Sequence, residues 1–194
     1  MEGRLRAVAE LANHVAPTAL AGDRVLVVPG SVGEQLSAGG VRRGATVALD
    51  GPLGSGSTTV AFAFAAAATS TGEWAAVVDP DGTFGACAAA ANGVALERCA
   101  VVRRVPRDRW GTVVAALLDG VAMVIAAVPP WLRANDARRL SARARERAAV
   151  LVALGPWPAE ASLRLHTEPS AWAGAPEPRL FVSGTTVRER TRAG

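Results

Sequence analysis

The stretch Asp50-Gly51-Pro52-Leu53-Gly54-Ser55-Gly56-Ser57-Thr58-Thr59 has the spacing of a loop that grips phosphate. In the pattern G-x-x-x-x-G-K-[ST], set after a buried strand, backbone amides at a helix N-terminus surround the phosphates. A lysine then reaches the β- and γ-oxygens. Gly51, Gly56 and Thr58 fall in register, with Gly54 between them, but Ser57 stands where the lysine belongs. No other lysine can replace it, because all 21 basic residues are arginine. The loss is large: one charge-assisted hydrogen bond is worth roughly 1.5–3 kcal/mol. A seryl hydroxyl donates one neutral bond and cannot neutralise the charge that develops in phosphoryl transfer. The spacing predicts a nucleotide loop that no longer turns over ATP. Its remaining amides, with the Thr58 and Thr59 hydroxyls, could at most hold ATP or another anion weakly.

Such a loop needs a strand behind it and a helix ahead of it. Ala45–Asp50 supplies the strand, and Thr58–Thr69, rich in alanine, supplies the helix. The same alternation runs on. Strands are expected at Trp74–Asp79, Arg98–Val102, Val121–Val128 and Ala149–Leu154. Helices are expected after Pro80-Asp81-Gly82 as far as Asn92-Gly93, over Arg107–Leu118, and over Trp131–Arg147. Near-continuous apolar strands alternating with helices indicate a parallel sheet covered on both faces. Two shorter segments, Ser162–Thr167 and Arg179–Arg190, have no helix between them and suggest antiparallel strands. Ahead of the loop, Arg4–His14 reads as a helix with Leu5, Val8, Leu11 and Ala12 along one side. Arg24–Pro29 reads as a short strand or an extended arm.

At 194 residues, half of them apolar, the chain suits one domain with a sizeable core. Its longest apolar run, Val121–Val128, is far below the roughly 20 residues that span a bilayer. The N-terminus lacks the apolar stretch of a signal peptide, so a cytoplasmic location is expected, without membrane contact. Cys87 and Cys99 have no metal-ligand or redox spacing and are expected to be buried thiols, and no metal site is predicted. His14 and His166 are isolated in sequence and are assigned structural or surface roles.

Ordered landmarks over about residues 33 to 155 resemble the core of the RecA recombinases. The lead-in Gly39-Gly40-Val41-Arg42-Arg43-Gly44 runs into strand, loop and helix as theirs does, and Ala75-Ala76-Val77-Val78-Asp79-Pro80-Asp81 follows in order. The resemblance implies that Asp81 occupies the place of the catalytic glutamate, shorter by one methylene. It also implies that Ala127 occupies the place of the aspartate that helps position Mg²⁺. With Ser57, three catalytic parts are altered, which argues for a pseudo-ATPase with no catalytic residues and no required cofactor. The DNA-holding loops of the RecA family have little counterpart, since only Pro129-Pro130 follows the fourth strand and Gly155–Ala161 the fifth. DNA binding in the RecA manner is therefore not expected. A RecA-like core of this size with an altered loop is similar to the ImuA-prime proteins, actinobacterial counterparts of ImuA. That similarity implies an accessory role in SOS-induced mutagenesis and translesion synthesis, as part of a mutasome. The implied partners are an ImuB-like protein and, through it, an error-prone C-family DNA polymerase.

The expected architecture is thus α/β and RecA-like: a mainly parallel sheet with helices on both faces and a short antiparallel C-terminal extension. Residues 1–32 would form an N-terminal helix and arm, 33–182 the core, and 183–194 a basic tail. Partner contacts are assigned to Trp131, to the stripe Arg139, Arg143 and Arg147, and to Arg188, Arg190 and Arg192 in the tail. A solvated helix face is the simpler explanation of that stripe. Self-association through the Arg4–His14 helix stays open at this stage. So do a nucleotide-dependent ATPase switch and a DNA-binding recombination mediator.

Overall fold

The computed structural model describes residues 25–168 and the strand 179–183. The expected helix Arg4–His14, Trp172, and the tail arginines Arg188, Arg190 and Arg192 lie outside the described residues.

Nine strands are described. β1 (Val25–Val27) pairs antiparallel with β2 (Gly40–Arg42), and helix α1 (Gly30–Glu34) lies between them. The boundary placed after residue 32 falls inside α1, and Leu26, Val28 and Val32 are buried in the same cluster as the main sheet. β3 (Thr46–Asp50) leads through the glycine loop into α2 (Ser57–Ser70). β4 (Ala75–Asp79), α3 (Ala86–Ala91), β5 (Cys99–Arg103), α4 (Trp110–Gly120), β6 (Met123–Ala127), α5 (Ala134–Glu146) and β7 (Val150–Leu154) follow. β8 (Leu163–Glu168) and β9 (Arg179–Ser183) complete a seven-stranded sheet in the order β5-β4-β6-β7-β3-β8-β9.

The strands are short and apolar because both faces are covered. Alternate residues divide between two cores. Val47, Leu49, Met123, Ile125, Val150 and Val152 face α2. Ala48, Val124, Ala126, Leu151 and Ala153 face α4 and α5. α2 is apolar nearly all round and is buried accordingly, with Val60, Phe64, Ala65 and Ala68 at 0% exposure. α5 instead has one inward stripe, Ala137, Leu140 and Ala144. No helix among the described residues is long and apolar enough to cross a membrane.

β8 and β9 pair antiparallel with each other, as expected. Two expectations need correction. β8 is not confined to that extension: it joins the main sheet parallel to β3, with Leu49 opposite Leu165 and Asp50 opposite His166. No helix is needed for this crossover. Residues 155–162 can span roughly 26 Å at 3.3 Å per residue, longer than the roughly 17 Å of a five-residue strand. Trp157, Ala159 and Ala161 bury that connection on the α5 face. The cysteines are not buried either: Cys87 is exposed and Cys99 half-buried. α3 turns only Ala89 inward, and Cys87 sits two residues before it, on the opposite side of the helix. Burial nonetheless pushes the Cys99 thiol above its ordinary value.

The inner stripe of α5 stops at Ala144 and Ala148 is exposed, because the helix ends at Glu146. The chain leaves through a left-handed residue, Ala148 at φ 53°, with Ala149 N–H donating to Ala144 C=O at 3.0 Å and Ala148 N–H to Arg145 C=O at 3.3 Å. That is the helix ending which glycine favours, and an L-residue there costs roughly 1–2 kcal/mol. Ala148→Gly is therefore expected to raise stability by about 1 kcal/mol, read as a higher urea midpoint at unchanged slope.

Candidate functional site

The carboxyl ends of β3, β4, β6 and β8 form one edge of the sheet, and every catalytic position inferred from the sequence lies there. The loop stands where expected, between β3 and α2. Gly54 and Gly56 adopt φ of 81° and 91°, and Ser55 N–H closes the tip on Pro52 C=O at 3.1 Å. Val60 N–H accepts the first helical role, donating to Gly56 C=O at 3.0 Å. Thr58 and Thr59 are exposed, and so is Leu53 at the tip. The amides of Ser57, Thr58 and Thr59 are first-turn donors, for which a helix offers no internal partner.

Beneath the loop the geometry departs from a phosphate cradle. Thr167, fully buried in β8, places its Oγ1 2.6 Å from Ser55 Oγ and 2.5 Å from Ser57 Oγ. The Thr167 hydroxyl also donates to Asp50 C=O at 3.2 Å. A hydroxyl carries one proton and two lone pairs. With its proton on Asp50, Thr167 must accept from both serines, so the single proton of Ser57 is used inside the fold. Ser55 Oγ and Ser57 Oγ, 3.1 Å apart, then meet as two acceptors. Gly51 is required by this packing: a Cβ there would stand 2.2 Å from Thr167 Oγ1 and 2.6 Å from both Ser55 Oγ and Thr167 C=O.

The other catalytic positions are dispersed. The sheet order puts β7 and β6 between β3 and β4. At roughly 4.8 Å per strand, the end of β6 lies about 10 Å from the loop strand and the end of β4 about 14 Å. Ala127 closes β6 opposite Leu154 and offers no oxygen ligand. Asp81 is exposed in the turn after β4. The carboxylate that this turn does organise is Asp79, at 4% exposure. Its Oδ1 accepts from Thr83 N–H at 2.9 Å and Thr83 Oγ1 at 3.2 Å, its Oδ2 from Phe84 N–H at 2.9 Å, and Arg103 Nε lies 3.5 Å away. Burial pushes the Asp79 carboxyl up, but the Phe84 and Thr83 hydrogen bonds and the Arg103 charge together bring it below its ordinary value.

A second polar pair sits at the same edge on the opposite face. His166 Nδ1–H donates to Asp50 Oδ1 at 2.6 Å, both side chains being about half exposed. Alternation along β3 and β8 turns this pair away from α2, whereas Thr167 turns toward it. Sequence reasoning missed Ser55, Thr167 and the Asp50–His166 pair. The available signal was Thr167 itself, a polar residue continuing the apolar face of Leu163 and Leu165. No group of three or more metal-ligating side chains occurs among the described residues.

Of the residues assigned to partner contacts, Trp131, Arg139, Arg143 and Arg147 lie on the α4–α5 face. Arg143 grips Asp119 with two hydrogen bonds, from Nε to Oδ1 at 2.8 Å and from Nη2 to Oδ2, and Arg147 Nε adds a third to Oδ1 at 3.0 Å. Hydrogen bonds from Arg143 hold the Asp119 carboxyl below its ordinary value against desolvation, helped by the charges of both arginines and the Arg147 hydrogen bond. Two of the three stripe arginines thus tie α5 to α4. Arg139 stays open, 4.0 Å from Asp136 and with 77% of its side chain exposed. Trp131 is half-buried, edge-on to Trp110 at 6.2 Å and beneath Arg107 at 5.1 Å. The loop that would follow the fifth strand to hold DNA is instead the buried connection through Trp157.

Asp79 gives the site a measurable pH signature. Because its folded value is depressed, its stabilisation is complete above the unfolded value, near 3.8, and is lost as pH falls through the folded one. Asp79→Asn should cost about 1–3 kcal/mol at neutral pH and flatten the stability profile in that acid window, measured by urea unfolding.

Residues 34–159 match the family model described as the MT3502 N-terminal domain. No curated protein matches the chain. The matched span runs from α1 through the loop, both helical layers and β7, and the chain belongs to the MT3502 N-terminal domain family.

Proposed function

We propose that this protein is a non-catalytic, RecA-like accessory of SOS-induced translesion DNA synthesis, acting by binding an ImuB-like protein in a mutasome. The observation that carries the reading is the hydrogen bonding of Ser57. Its hydroxyl, at the position of the phosphate-binding lysine, is half-buried and bonded within the chain, 2.5 Å from Thr167 Oγ1. Three further features support it. β6 ends in Ala127 without a carboxylate, Asp81 stands exposed, and Asp79 is fully engaged by its own turn. A loop-bearing strand in the interior of a mainly parallel sheet suits the RecA-like architecture. What such a protein offers is surface. The open Arg139 and the basic tail carrying Arg188, Arg190 and Arg192 supply cationic contacts for an acidic partner face.

The purified protein is expected to release no phosphate from Mg-ATP above buffer and to give no saturable heat on titration with it. Turnover that disappears in Thr58→Ala would overturn the pseudo-ATPase reading. Capture by an immobilised ImuB-like protein is expected, and deleting residues 184–194 should weaken it by about tenfold, as loss of a few charged contacts does. Undiminished capture after that deletion would remove the tail from the interface.

A further inference from the structure

The outer seam between α4 and α5 forms an open groove of about 880 Å³. Its apolar lining includes Ala115, Ala116, Trp131 and Leu140. Both helices join parallel strands, so both run from the carboxyl edge of the sheet to its amino edge and lie side by side. The rims carry Asp108 and Asp136 where the helices begin, and Asp119, Arg143 and Glu146 where they end.

The described chain starts beside the far end of this groove. Val25 pairs with Arg42. Gly44, just beyond, packs on the last turn of α5, where a Cβ would stand 3.1 Å from the Cα of Arg145. Roughly 5 Å across an antiparallel pair and about 7 Å along two residues put Val25 within about 15 Å of Arg145. Residues 15–24 can span roughly 33 Å. The eleven-position segment from Arg4 to His14 would be about 16 Å long as a helix, against about 20 Å for α5.

We propose that residues 4–14 dock as a helix into the α4–α5 groove of their own chain, with Leu5, Val8, Leu11 and Ala12 on its apolar lining. Connection to Val25 puts His14 near the last turns of α4 and α5 and Arg4 near their first turns. Arg4 and Arg6 then meet Asp108 and Asp136, and Glu10 lies toward Arg139 and Arg143. Asp108 and Asp136 are free to re-pair: their present partners, Arg109 and Arg139, lie 3.7 and 4.0 Å away and are 70% and 77% exposed. The reverse orientation would set Arg4 and Arg6 against Asp119, which Arg143 and Arg147 already neutralise. This inference is independent of the reading of the loop.

The test is proximity in the full-length chain. On a Cys87→Ser, Cys99→Ala background, Val8→Cys with Ala116→Cys is treated with a short bismaleimide and mapped by peptide mass spectrometry. Leu5→Cys with Thr112→Cys is a second, separate pair. The expected result is an intramolecular link in monomer at every protein concentration, reduced about tenfold by Leu11→Asp, which would bury a charge. Links only between two chains would mean that a second copy fills the groove, and would overturn the proposal. So would the absence of links in both pairs when thermal melting shows the chains folded.

Discussion

Thr167 has one proton and two lone pairs, and the fold uses all three on the loop that follows β3. This requires β8 to lie parallel to β3 in a fixed register, with His166 opposite Asp50, so that the next residue reaches beneath Gly51. The register requires the buried crossover through Trp157, and the close approach requires a glycine at position 51. One hydroxyl thus couples the last parallel strand, the strand that carries the loop and the N-terminus of α2. With Thr167 at 0% and Ser55 at 3% exposure, the bond between these two is shielded from competing water, while Ser57 is half-buried.

That coupling changes what the glycines mean. In a working phosphate loop their absence of side chains lets backbone approach the ligand. Here Gly51 makes room for a threonine of the same chain, while Gly54 and Gly56 keep their left-handed turns. Opening the network to a triphosphate would strip three hydroxyls of their partners, at about 1–3 kcal/mol for each buried group left unsatisfied. No ammonium side chain repays that cost, since the chain has no lysine. Contacts within the chain, between Thr167 and the two serines, are thus enough to hold the loop in its shape.

The layered α/β arrangement was legible because its signals are local. Each apolar strand is short, each helix has a periodic or wholly apolar face, and glycine or proline separates them. Strand positions from β3 to β7 were readable to within a few residues for this reason. The direction of β8 was not. Leu163, Leu165 and Thr167 alternate in either direction, and only the buried path of residues 155–162 decides between them. Which carboxylate the turn after β4 engages was not legible for a similar reason. Asp79 and Asp81 are two residues apart and chemically alike, but only Asp79 ends a buried strand where the Thr83 and Phe84 amides converge on it. The expected burial of Cys87 failed on helix geometry, because it lies opposite the only inward residue of its helix.

The family match ends at residue 159, before β8 begins at Leu163. The residue that occupies the loop therefore lies outside the matched span, as does β1, whose Leu26 belongs to the core around α2. A segment cut to the match would leave β3 as an edge strand, with Leu49 losing the cover of Leu165. Ser55 and Ser57 would lose the oxygen they share. They would then present to solvent a loop resembling an empty phosphate site, with donors free that the longer chain keeps bonded. The state of this loop is thus a property of the structural unit reaching at least through β8. The matched residues alone omit the Thr167 hydroxyl to which the two loop serines are bonded.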